Sequence, residues 1–139
     1  MKITELDSTF AAMRQRFGNL GLVETRAGEY SREFEKPNEF TLEFVSERYD
    51  PDINVLISGP FSKGEQLVLG ILAYAVDPKE AEDIRLKDGL RNANRIVGGV
   101  LQFLETHALG LISNPEKYLR VYTKAIQDLR SRYGLDDQI

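Results

Sequence analysis

The stretch FTLEFVSERYDPDINVLISG, residues 40–59, decides the fold. Apolar and polar side chains alternate in its first half, residues 40–45, and again in its second half, residues 53–58. A period of two is typical of a β-strand with one buried face. Between the halves stands Asp50-Pro51-Asp52, and proline and aspartate are turn residues because proline fixes φ and aspartate bonds the nearby backbone. The stretch therefore predicts two antiparallel strands joined by a turn at Asp-Pro-Asp.

Two shorter strand patterns precede this pair, over Leu22–Thr25 and Glu29–Glu35. The second carries apolar Tyr30 and Phe34 among charged residues, and Pro37-Asn38 supplies turn chemistry after it. Gly59-Pro60 closes the last strand. These patterns predict an antiparallel β-meander of three or four strands.

Helical patterns flank the meander on both sides. The N-terminal one starts with Thr4 as an N-cap, and the last one starts with Asn114 as an N-cap before Pro115 and ends at Gly134. The apolar run at 64–76 favours a helix over a strand because leucine and alanine dominate it and no alternation is visible. The predicted helices cover residues 4–17, 64–76, 88–108 and 115–133. Segregated strands and helices predict an α+β fold, with the helices on one face of the sheet, in a single domain over residues 1–139.

Composition and the apolar runs restrict the class of protein. The 139 residues are 42% hydrophobic and 29% charged, as in a soluble globular domain. The chain has no cysteine, which excludes disulfides, zinc-thiolate sites and thiol nucleophiles. The N-terminus lacks the apolar region of a signal peptide, and the longest apolar run, 67–76, is about half a bilayer span. We expect a cytoplasmic protein that has no contact with a membrane.

Charge is distributed unevenly along the chain. The net charge is −4, which argues against nucleic acid as a partner because binding phosphates requires a basic surface. Residues 24–52 carry nine acids against four bases, whereas residues 114–132 carry two acids against five bases. Two interpretations stay open: two differently solvated faces, or an acidic sheet that meets a basic partner.

The acids of the central stretch do not form an obvious catalytic or metal site. Glu43 and Glu47 share the outward face of one strand but stand ~13 Å apart along it. The Asp50–Asp52 pair is explained by the turn. His107 is the only histidine, and its place at the end of the predicted helix 88–108 suits a cation beside the helix dipole. The sequence therefore predicts no enzyme, no cofactor and no metal.

The order of elements resembles that of small bacterial immunity proteins, which neutralise toxin domains delivered by contact-dependent or related competition systems. The likeness covers a leading amphipathic helix, the strand pair FTLEFVSERYDPDINVLISGP and the C-terminal helices. It implies a tight complex with one cognate protein toxin domain, often a nuclease with a basic active face, and such a partner suits an acidic sheet. We expect the contact on the strand pair, with Tyr49 as an aromatic anchor. The predicted contact residues are Glu43, Glu47, Tyr49, Asp50 and Asp52.

A second resemblance provides an alternative. Chaperones of type III secretion are also small, acidic and built from a helix followed by strands, and they act as dimers that bind an effector segment. The present sequence departs from that pattern after Val76, where it predicts helices and the chaperones return to strands.

Overall fold

The computed structural model describes residues 1–133 and has an α+β fold, as the sequence predicts. Its strands are β1 (Val23–Ala27), β2 (Ser31–Lys36), β3 (Phe40–Glu47), β4 (Asp50–Ser58) and β5 (Leu67–Val68). They form one antiparallel meander in which each strand pairs with the next. The sheet exceeds the predicted three or four strands because Leu67 and Val68, which the sequence assigned to a helix, pair with β4.

The turn between β3 and β4 differs from the predicted one. Glu47 pairs with Asp50, so the turn consists of Arg48 and Tyr49 alone. The prediction of a turn at Asp50-Pro51-Asp52 is therefore wrong: these residues open β4. Pro51 is tolerated there because the register shifts at this point, and a proline without an N–H group fits at such an irregularity.

The sheet has one buried face and one open face. Along β3 the buried residues alternate with less buried ones, and β4 repeats the alternation from Ile53 onward. Phe44 and Ile57 are fully buried on the inner face. Outward-facing residues such as Glu43 are partly exposed, because the helices pack only against the inner face.

The helices are α1 (Asp7–Ala12), α2 (Arg14–Asn19), α3 (Leu69–Val76), α4 (Pro78–Ile84), α5 (Ala93–Ser113) and α6 (Pro115–Tyr133). The predicted helix 4–17 is thus split at Met13. Thr4 lies inside a 3₁₀ turn, Ile3–Leu6, so the prediction that it caps the helix is wrong. Phe10 and Phe17 fasten α1 and α2 to the sheet, since both rings pack on Phe34 of β2 at centroid distances of 5.7 and 4.3 Å.

The helix α4 was not predicted, although its start has a recognisable pattern. The carboxylate of Asp77 accepts the Lys79 N–H at 3.0 Å, and Pro78 occupies the first helical position. The close approach of α4 to α5 explains Gly99, where a Cβ would lie 2.9 Å from the Asp83 Cβ.

The last two helices complete the core. α5 begins and ends five residues later than predicted. By length and apolar composition it is the one helix among residues 1–133 that could cross a membrane, but half of its apolar window is buried in this fold. α6 starts at Pro115 as predicted, and its Tyr122 hydroxyl accepts the Val68 N–H of β5 at 3.1 Å. Gly134, the predicted end of α6, lies outside the described residues.

Candidate partner-binding surface

The β3–β4 turn projects an aromatic side chain into solvent. Tyr49 is 89% exposed, the highest value among the exposed large hydrophobic residues of the described chain. The guanidinium of the neighbouring Arg48 lies 5.3 Å from the centre of its ring. A two-residue turn holds its side chains more firmly than a long loop does, so Tyr49 is presented at a defined position.

The backbone behind Tyr49 is braced by hydrogen bonds. The N-terminal ammonium of Met1 donates to the carbonyls of Glu47, Arg48 and Asp50 at 2.7, 2.9 and 3.1 Å. The Asp50 carboxylate in turn accepts the Asp52 N–H at 2.8 Å. The turn is therefore ordered before any partner arrives, which lowers the entropy cost of binding through it.

The two predicted glutamates on β3 have different environments. The Glu43 side chain is only 14% exposed, because the Arg26 guanidinium binds it at 2.6 Å and the Ser31 hydroxyl at 3.0 Å. Glu47 is exposed next to the turn and forms no ion pair with any residue in 1–133. The structure does not bring these two carboxylates together.

Asp52 has a structural contact that the sequence did not suggest. Its carboxylate accepts the backbone N–H of Asp88 at 2.9 Å and lies 3.5 Å from the Lys87 ammonium. It therefore connects β4 to the segment before α5, 36 residues away in sequence. Of the five predicted contact residues, Tyr49 and Glu47 are the most available to a partner, whereas Glu43 and Asp52 are already engaged.

The outer face of the sheet carries further acids that the sequence analysis did not single out. The β2–β3 register places Glu33 directly opposite Glu43, and Glu35 follows two residues later on the same face of β2. Like charges directly opposite each other destabilise a sheet. The Thr25 hydroxyl, which donates to Glu33 at 2.8 Å, and the Arg26 pair with Glu43 offset part of that cost.

Ion pairs divide the nine acids of residues 24–52 into two groups. Those that pair with a base are Glu24, Glu29, Glu39, Glu43 and Asp52. Those without an ion pair to any described residue are Glu33, Glu35, Glu47 and Asp50. The unneutralised acidic charge thus lies on the outer face of β2, which would attract a basic surface. At the tip of the hairpin the Arg48 guanidinium and the Met1 ammonium stand beside Glu47 and Asp50 and offset their charge.

A second polar cluster lies among the helices. His107 Nε2 is 2.9 Å from the Glu80 carboxylate of α4, and its Nδ1 is 3.1 Å from the Tyr118 hydroxyl of α6. An ionised carboxylate can only accept, so Nε2 carries a proton; when the imidazole is neutral, the Tyr118 hydroxyl therefore donates to Nδ1. Burial raises the pKa of the Tyr118 hydroxyl, and the nearby Glu80 carboxylate raises it further.

The position of His107 corrects the prediction that it ends its helix. α5 continues to Ser113, so His107 lies within the helical segment. Its ring packs on the ring of Phe103 at a centroid distance of 4.7 Å. Glu80 and Tyr118 therefore engage both ring nitrogens, and the cluster joins the three helices α4, α5 and α6.

Metal-ligating side chains do not converge in the described part of the chain: no group of three histidine, cysteine, aspartate or glutamate residues there could hold an ion. Comparison with protein-family models, curated proteins and solved structures gives no match for this chain. The case for a function therefore rests on the surface geometry.

Proposed function

We propose that this protein is a non-enzymatic binding protein that neutralises a cognate bacterial toxin in the cytoplasm by forming a tight complex with it. The observation that carries the proposal is Tyr49, 89% exposed on a two-residue turn. Tyrosine is enriched among the residues that dominate binding energy at interfaces. The ring is held in water by the hydrogen-bonded turn. A partner that covers it removes its apolar surface from water, which stabilises the complex.

The charges around Tyr49 indicate the character of the partner. Glu33 and Glu35 make the outer face of β2 acidic, while Glu47 and Asp50 at the turn are offset by the Arg48 guanidinium and the Met1 ammonium. Complementary charge accelerates association and improves the discrimination between partners. We therefore propose a toxin domain with a basic face, for which a nuclease is the leading candidate.

The reading frames that flank the gene provide the partner for a test. A toxic domain encoded there is produced as a separate chain, and its complex with the wild-type protein is measured by calorimetry beside growth protection in cells. The proposal predicts a tight one-to-one complex that protects. Tyr49→Ala should weaken it by about 30-fold, which corresponds to an interface residue worth about 2 kcal/mol.

Tyr74→Ala is the matched control. This tyrosine lies on α3 rather than on the hairpin and is also exposed, at 49%; the guanidinium of Arg85, the residue after α4, stacks on its ring at 4.7 Å. It should leave the affinity unchanged, and a similar loss for both tyrosines would contradict the proposed surface. A stable homodimer that binds an extended effector segment would instead favour the secretion-chaperone alternative, which the helices after Val76 do not support.

A further inference from the structure

Residues 1–3 run across the end of the sheet that carries the Tyr49 turn. The Ile3 N–H donates to the carbonyl of Glu29, in the turn between β1 and β2, at 2.7 Å, and the Ile3 side chain is fully buried. Two residues earlier, the Met1 ammonium bonds the β3–β4 turn. The N-terminal segment therefore connects the two hairpin turns at this end of the sheet.

The Met1 nitrogen makes three hydrogen bonds at once. The carbonyls of Glu47, Arg48 and Asp50 lie 2.7, 2.9 and 3.1 Å from it, and the bond to Asp50 is partly buried. Glu47 and Asp50 form the pair that closes the turn. An ammonium group has three N–H donors, so each carbonyl is matched by one donor. Hydrogen bonds from an ionised donor are also roughly twice as strong as neutral ones.

The three carbonyl oxygens converge on one point, and they need a donor there. Backbone carbonyls carry partial negative charge and are strong acceptors, so their convergence is unfavourable without a donor or a cation between them. Two lysines at this end of the molecule are directed elsewhere. The Lys2 ammonium lies 3.6 Å from the Glu29 carboxylate, and the Lys87 ammonium lies 3.5 Å from the Asp52 carboxylate. The Met1 ammonium is thus the group that fills this position.

Contacts on both sides keep the Met1 nitrogen at the turn. Its own side chain packs against the hydrophobic core, and Met1 Cε would lie 3.2 Å from a Cβ at Gly89. The Gly89 N–H in turn donates to the Pro51 carbonyl of β4 at 2.7 Å. On the other side, Ile3 is fixed by its burial and its bond to Glu29. The position of the nitrogen therefore follows from the fold, and its chemical state determines what it does there.

We infer that the Met1 nitrogen is a modification-sensitive site that controls the order of the Tyr49 turn. As a free ammonium it holds the three carbonyls together. An acyl group on this nitrogen, or a residue before it, converts it into an amide, which is uncharged and has a single N–H. Two of the three carbonyls then lose their donor, and the turn opens. This dependence goes beyond the proposed function, because it holds whichever partner the turn contacts.

The experiment compares the chain with a free Met1 amine and the same chain acetylated at that nitrogen by an N-terminal acetyltransferase. The NMR order parameters of Arg48 and Tyr49 should fall from about 0.85, typical of a rigid backbone, to below about 0.6 on acetylation. The Ser46 amide, which donates to the Tyr30 carbonyl at 2.9 Å between the two turns, should exchange its hydrogen about tenfold faster. The Leu42 amide, in the middle of β3, should keep its exchange rate.

Lys2→Gln is the matched control, because it removes a positive charge from the neighbouring residue and leaves the Met1 ammonium intact. It should leave the order parameters and the exchange rates unchanged. A loss of order equal to that of acetylation would mean that positive charge in general, rather than the three Met1 donors, orders the turn, and it would overturn the inference. Unchanged order parameters after acetylation would overturn it directly. Equal acceleration at Ser46 and Leu42 would also contradict it, since the whole sheet rather than the turn would then open.

Discussion

The imidazole of His107 binds the carboxylate of Glu80 across 2.9 Å, which joins the long helix α5 to the short helix α4. The other ring nitrogen, Nδ1, is hydrogen-bonded to the Tyr118 hydroxyl of α6. One side chain therefore orders the packing of three helices, and the cost of removing it can be predicted.

His107→Phe should lower the free energy of unfolding by about 1–3 kcal/mol. Phenylalanine keeps a ring against Phe103 but leaves the buried Tyr118 hydroxyl without its acceptor, and an unsatisfied buried polar group costs about that much. Urea denaturation measures the change. Gln102→Ala, an exposed position on the same helix, should stay within about 0.5 kcal/mol of the wild type. Equal stability of His107→Phe and the wild type would mean that the cluster contributes little.

Alkaline pH should destabilise the protein through Tyr118. Burial and the Glu80 carboxylate raise the pKa of its hydroxyl in the folded state, whereas the unfolded chain has the ordinary tyrosine pKa of about 10. Below the pKa of the unfolded chain, the hydroxyl is neutral in both states, so this group does not change the free energy of unfolding. As the pH rises through the folded pKa, the unfolded chain binds fewer protons, so the stability falls.

Melting temperatures between pH 9 and 11 test this expectation. The wild type should lose stability across that range, and Tyr118→Phe should show a shallower decline from a lower starting stability. Tyr49→Phe, on the exposed turn, should follow the wild-type slope. If the melting temperatures of Tyr118→Phe and the wild type fell equally with pH, Tyr118 would not be the cause of the alkaline destabilisation.

Asp52→Ala should lower the unfolding free energy by about 1 kcal/mol, since it removes the acceptor of the Asp88 N–H. Glu47→Ala should be within about 0.5 kcal/mol of the wild type because that side chain is exposed. Hydrogen exchange at the Asp88 amide gives a local readout and should accelerate in the Asp52 variant alone. A slow Asp88 amide in Asp52→Ala would show that another group holds the segment.

The fold was predictable wherever a local pattern determines it. Alternation located β3 and β4, and the Asn114-Pro115 start located α6. β5 was hidden because a strand of two residues has no period of its own and opens an apolar run. The hairpin turn was misplaced because Asp50-Pro51-Asp52 has turn chemistry, whereas Arg48-Tyr49 has none.

The surface was predictable only in part, because its organisation depends on contacts between distant residues. Tyr49 and Glu47 could be selected from the sequence as neighbours of a turn. The role of Asp52 could not be, since its partner Asp88 is 36 residues away. The His107 cluster was missed because α4 was missed, although the Asp77-Pro78 start of that helix marks it as a capped element.

Gly59, the residue after β4, provides the last prediction, which concerns how closely the backbone packs at the end of the hairpin opposite the turn. A Cβ at Gly59 would lie 2.5 Å from the Glu39 carbonyl oxygen and 3.0 Å from the Phe40 Cα, and both are backbone atoms that cannot move aside cheaply. Gly59→Ala should therefore cost about 1–3 kcal/mol, as overpacking does. Calorimetric melting measures it.

Gly18→Ala in α2 is the matched substitution, because a Cβ there meets nothing within 4 Å. It should leave the stability unchanged or raise it by up to about 1 kcal/mol, since alanine favours a helix and restricts the unfolded chain. The decisive feature is that Gly59→Ala loses stability and Gly18→Ala does not. A Gly59→Ala protein as stable as the wild type would mean that the β3 and β4 ends are further apart in solution than this packing requires.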